Sequence, residues 1–124
     1  MARLTKALIV LAPLLAAGVT LSSCGSGGAV ADARRSCHSV HRALLIERRS
    51  EAPGLSARQR TVLQEKALSA LLMATSAAAQ ATSIDGSWNP LMTTINEAER
   101  VPLKQLIPAL TRLCQLANSA TPYL

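Results

Sequence analysis

Ser56–Thr82, SARQRTVLQEKALSALLMATSAAAQAT, contains neither proline nor glycine, and its apolar positions recur at spacings of three and four. That period is the helical one. Ser56, followed three residues later by Gln59, forms a capping-box pattern, so the helix is expected to start at Ala57. Continued to Thr82 it is roughly 39 Å long at 1.5 Å per residue. Leu63, Ala67, Ala70, Leu71, Ala74, Ala77, Ala78 and Ala81 make one broad face of mostly small side chains. Alanine raises helix propensity and lets a neighbouring backbone come close. Leu68 and Leu72 lie on another side, so this helix is expected to touch more than one neighbour and to be the central element.

The flanking segments share the period. Upstream, Val30, Ala33, Cys37, Val40 and Leu44 lie on one face of a helix that begins near Ala29. Asp32 suits its electropositive first turn, and Pro53-Gly54 ends it near Glu51. Downstream, Ser83–Asn89 reads as a turn-rich loop with Asp85-Gly86 and Trp88, and Asn89-Pro90 as an N-cap with proline at the first helical position. A short third helix, Pro90 to about Arg100, is expected to bury Leu91, Ile95 and Ala98, and Val101-Pro102 interrupts it. Leu103, Leu106, Ile107, Leu110, Leu113, Cys114 and Ala117 keep the spacing through a last helix that Pro108 kinks. No segment alternates like a strand. The expected fold is all-α: a small antiparallel bundle of about four helices, the third short and the last kinked. A three-helix core with an irregular segment is the alternative.

The N-terminus has a different character. Arg3 and Lys6 precede an apolar run, Ala7 to Leu21, that is too short to span a bilayer, which needs roughly 20 residues. The run closes on Leu21-Ser22-Ser23-Cys24, followed by Gly25-Ser26-Gly27-Gly28. This arrangement resembles the lipobox of bacterial lipoprotein precursors. The resemblance implies cleavage before Cys24, attachment of a diacylglycerol to that cysteine, and display on the outer face of the cell membrane. The expected organisation is a signal peptide over 1–23, a lipidated cysteine and flexible tether over 24–28, and a helical domain over 29–124. The stretch from Asp85-Gly86-Ser87-Trp88 through Arg100-Val101-Pro102 to Leu113-Cys114 also resembles small actinobacterial lipoproteins, which supplies no activity. An arginine excess of ten over three lysines agrees with a high-GC genome.

With Cys24 taken by lipid, Cys37 and Cys114 are left, and export to an oxidising compartment favours one bridge between them. An up-down bundle puts the start of the first helix beside the end of the last, as such a bridge requires.

Composition narrows the function classes. The net charge is +6, falling to about +4 once Arg3 and Lys6 are removed, and the chain has no Phe, one Trp and one Tyr. There is little surface on which bases could stack, so nucleic acid is not an expected partner. Arg35, Arg42 and Arg49 recur every seven residues, extended by Arg34 and Arg48. They form a candidate basic interaction face for anionic headgroups or an acidic partner, with a solvated outer helix face as the simpler reading. Trp88 is either a core plug or a candidate membrane-interface contact, since tryptophan favours that boundary. Cys37, His38 and His41 are the nearest thing to a metal or haem cluster, but a site wants three or four ligands and the chain has no other His. Hydrolase, metalloprotease and phosphate-loop patterns are missing, so neither catalysis nor a cofactor is expected. The expected function is binding: a lipid-anchored module engaging another envelope protein, or a carrier for an apolar ligand such as a lipid.

Overall fold

The computed structural model describes residues 26–120, and the expected signal peptide and Cys24 lie outside them. Five helical segments follow in order: α1 Ser26–Ser50, α2 Ala57–Leu72, α3 Thr75–Ile84, α4 Asn89–Glu97 and α5 Leu103–Ser119. No strand occurs among the described residues. Because α2 and α3 form one interrupted rod, the architecture is a four-helix bundle. Going round it, α1 packs on the α2–α3 rod, the rod on α4, α4 on α5, and α5 back on α1. α1 is therefore as central as the rod. It also begins at Ser26, so the helix takes in part of the stretch expected as a tether.

Each boundary has a local cause. Ser50 Oγ donates to the Glu47 carbonyl, and Arg60 Nε donates to the Ser50 carbonyl at 3.1 Å, satisfying the exposed end of α1. Gly54 then adopts φ +84°, a left-handed geometry open to glycine, to turn the chain. Both arms of the capping box form: Gln59 N donates to Ser56 Oγ at 3.1 Å and Ser56 N to Gln59 Oε1 at 2.8 Å.

The rod differs from the expected single helix at Met73-Ala74. There the Ala74 N–H reaches back only three residues, to the Leu71 carbonyl at 2.8 Å, which tightens one turn. The buried Ser36 hydroxyl on α1 donates to the Ala74 carbonyl at 3.0 Å, so the break sits where a neighbouring side chain enters the helix backbone. Ala57–Ile84 is long and apolar enough to cross a membrane, by length and composition alone. Here its alanine face is buried, while Arg58, Glu65 and Lys66 are exposed.

Asp85 caps the next turn by accepting the Ser87 N–H at 2.9 Å. The 3-10 turn Gly86–Trp88 runs directly into α4, so Asn89, expected as the N-cap, is already helical; α4's own cap position is Trp88, without a side-chain bond, and the side-chain cap is Asp85 on the turn before it. α4 ends at Glu97, and α5 continues unbroken past Pro108.

Small side chains dominate the seam between α1 and the rod. Ala29, Ala33 and Ala43 of α1 and Ala67, Ala74, Ala78 and Ala81 of the rod have no exposed surface. Leu71, Leu91, Ile95, Leu110 and Val40 are the largest apolar side chains fully enclosed. Trp88 belongs to this core with 8% of its surface exposed, which corrects its reading as a membrane-interface contact. A ring closed inside the bundle cannot lie among headgroups. The Cys37–Cys114 disulfide joins α1 to α5 across a Cα–Cα distance of 5.5 Å, as expected from the topology.

One end of the bundle gathers the N-terminus of α1, the turn after α3 and the C-terminus of α5. A β-carbon built on Gly28 would stand 3.7 Å from Ile84 Cδ1. At the same end the Arg34 guanidinium donates to the Ala117 carbonyl at 2.9 Å and the Ala120 carbonyl at 2.6 Å, tying α1 to the last turn of α5. A cation there also meets the negative end of the helix dipole.

Candidate functional site

The disulfide sits in a groove between α1 and α5 of about 300 Å³. α1 runs Arg34, His38, His41 and Arg48 along one wall, while α5 contributes the uncharged polar residues Thr111, Gln115 and Asn118. The helical period explains this wall: Arg34, His38, His41, Leu45 and Arg48 follow one another at spacings of three and four, one step round from the buried Cys37, Val40 and Leu44. No carboxylate among the described residues lines the groove. It is an electropositive, partly apolar slot with donors along one side, suited to an anionic or carboxylate-bearing segment.

The expected arginine face is only partly realised. Arg35 is held by Asp32 and by Gln80 Oε1, which places it in a bridge between α1 and α3 rather than on a free face. Arg34, expected as an extension of the stripe, is instead partly buried at the end of α5. Arg42 and Arg49 are exposed and make no ion pair among the described residues, so with Arg48 they carry the basic character beside the groove. Cys37 and His41 share the groove, but Cys37 is spent in the disulfide. No group of three or more metal-ligating side chains occurs among the described residues.

A second groove, of about 440 Å³, lies where α2 faces the turn between α4 and α5. Its polar side chains are Glu47, Glu65, Thr61 and Gln64. Glu47, buried with 4% of its surface exposed, is a residue that sequence reasoning did not single out. Its signal was nonetheless in the spacing, since Val40, Leu44 and Glu47 follow the three-four period onto the buried face. Burial pushes its carboxyl above the usual carboxylate range and the Glu51 carboxylate adds to this, with Lys104 opposing them. Lys104 is itself held charged by its 2.8 Å pair with Glu51. At the opposite end, the Ser87 backbone N–H holds the Asp85 carboxyl below its usual range.

A carboxyl whose pKa is raised by folding stabilises the native state most when protonated, and that contribution is lost as pH rises from the ordinary value of 4.5 through the raised one. Glu47→Gln is therefore expected to gain thermal stability over the parent at neutral pH and to lose that advantage in acid. Melting curves across this window check it, and an advantage independent of pH would contradict it.

Neither a family model, nor a curated protein, nor a solved structure matches the chain.

Proposed function

We propose that this chain is a lipid-anchored binding module of the bacterial cell envelope. It is tethered by Cys24 to the outer face of the cell membrane and engages another envelope protein through the α1–α5 groove. The observation that carries the reading is that groove, with Arg48, His38 and His41 along a wall that no carboxylate of the described residues interrupts. A helical scaffold fixes these side chains at constant spacing and the disulfide beneath locks the two walls together, so little ordering entropy is lost when a partner docks. The carrier alternative draws no support from the α1–rod seam, where alanines meet with no exposed surface.

Anchoring is tested by growing cells with an alkyne-tagged fatty acid. The native chain should take up the label and lose residues 1–23, while Cys24→Ala should remain unlabelled with the Cys37–Cys114 bridge intact. An unlabelled native chain, or a labelled Cys24→Ala variant, would sink the anchor.

A further inference from the structure

We propose that the turn after α3, residues 84–87, is a lipid-contacting surface that stands the bundle on its end against the bilayer, an inference that rests on the Cys24 anchor proposed above. The deciding observation is where α1 begins. Its first residue is Ser26, so Gly25 alone separates the acylated cysteine from a continuous helix. The two Cα–Cα steps from Ser26 back to Cys24 span at most about 7 Å. The helix therefore starts within reach of the interface that holds the cysteine's lipid, and no tether is long enough to carry the bundle away from it.

Ile84 lies beside that first turn of α1. Gly28 is about 3 Å of helical rise beyond Ser26, and a β-carbon built on it would stand 3.7 Å from Ile84 Cδ1. Ile84 is 41% exposed, and Gly86 and Ser87 are exposed as well. One exposed isoleucine has no meaning by itself. This one is level with the anchored end of α1, where an apolar side chain gains by leaving water for the interface. Asp85, half-buried and accepting the Ser87 N–H at 2.9 Å, limits the entry to that side chain, because a carboxylate is costly below the headgroups. Trp88 stays in the core behind the turn. Charge does not drive the contact, since Asp32 and Asp85 balance Arg34 and Arg35 at this end. The exposed Arg42, Arg48 and Arg49 start about 24 Å up α1 from Ser26, well beyond a screening length of about 8 Å. The α1–α5 groove is thereby held clear of the bilayer and open to a partner.

The test places the full lipidated chain, isotope-labelled, in phosphatidylcholine bicelles doped with a phosphatidylcholine that carries a nitroxide on its headgroup. Broadening of backbone amide signals then reports distance from the bilayer. It is expected to be strongest at residues 28–31 and 84–87 and absent at residues 51–59, at the far end of the bundle. Ile84→Ser, at an exposed position, should leave the melting midpoint unchanged and lower the broadening at Gly86 and Ser87 at least about twofold. Replacing part of the lipid by phosphatidylglycerol should leave the pattern as it is. Broadening at Arg42 and Arg49, or a pattern that needs phosphatidylglycerol, would overturn the proposal in favour of a basic face lying on the membrane. An Ile84→Ser chain with the parent's broadening would overturn it too. A chain that takes up the alkyne-tagged fatty acid yet shows no broadening at residues 84–87 refutes this contact and keeps the anchor, whereas a chain that takes up no label refutes both.

Discussion

Replacing Cys37 and Cys114 together by serine is expected to lower stability by about 2–5 kcal/mol. The bridge closes a loop with a sequence separation of 77, so in the unfolded chain it removes a large set of open conformations. In the native state it adds no reach that the helices lack, because Arg34 already ties α1 to the end of α5. The double variant should therefore keep the fold and lose margin. A domain of this size has a total stability of roughly 5–15 kcal/mol, so the midpoint of thermal unfolding should fall by about 10–30 °C. Circular dichroism melting of the oxidised, reduced and double-serine proteins measures it. A midpoint unchanged on reduction would show that the core, and not the bridge, holds the ends together.

Leu71→Ala is expected to cost about 2–5 kcal/mol, whereas Leu72→Ala should cost under about 1 kcal/mol. The two residues are chemically identical neighbours in the last turn of α2. Leu71 is fully enclosed beside Ala70 and Ala74, and Leu72 is 36% exposed on the outer side. A seam built largely of alanine has few large side chains, so each enclosed leucine supplies an unusual share of the apolar burial. Its surroundings are short side chains held by helix backbones, which cannot swing in to fill the space left behind. Denaturant unfolding of the two variants decides it. Equal losses would mean that the rod does not present Leu71 inward.

What was legible in the sequence follows from what the helical period can carry. The period placed the four rods of the bundle and selected Leu71, Leu91, Ile95 and Leu110 for the core, and the up-down topology put Cys37 beside Cys114. It did not show the break at Met73-Ala74, because both residues favour helix and the cause is Ser36, on another helix. Nor did it separate Arg34 and Arg35 from Arg42 and Arg49. All four are arginines on one helix, and only the tertiary neighbours Ala117, Ala120 and Gln80 distinguish them. Trp88 was read in two ways because its surroundings are set by how the turn after α3 docks. Glu47 is the opposite case: its three-residue step from Leu44 points inward, but a carboxylate is not the side chain that a buried position suggests, and it was passed over.

The central claim is that the α1–α5 groove is where this module meets its partner. A photo-crosslinking amino acid at Leu45, 42% exposed at the groove, tests it in living cells against the same group at Met73, 70% exposed on the rod. Leu45 should capture one discrete envelope protein, Met73 should not, and adding Arg48→Glu should abolish the Leu45 product. Equal capture at both positions, or a Leu45 product indifferent to Arg48→Glu, would contradict the account.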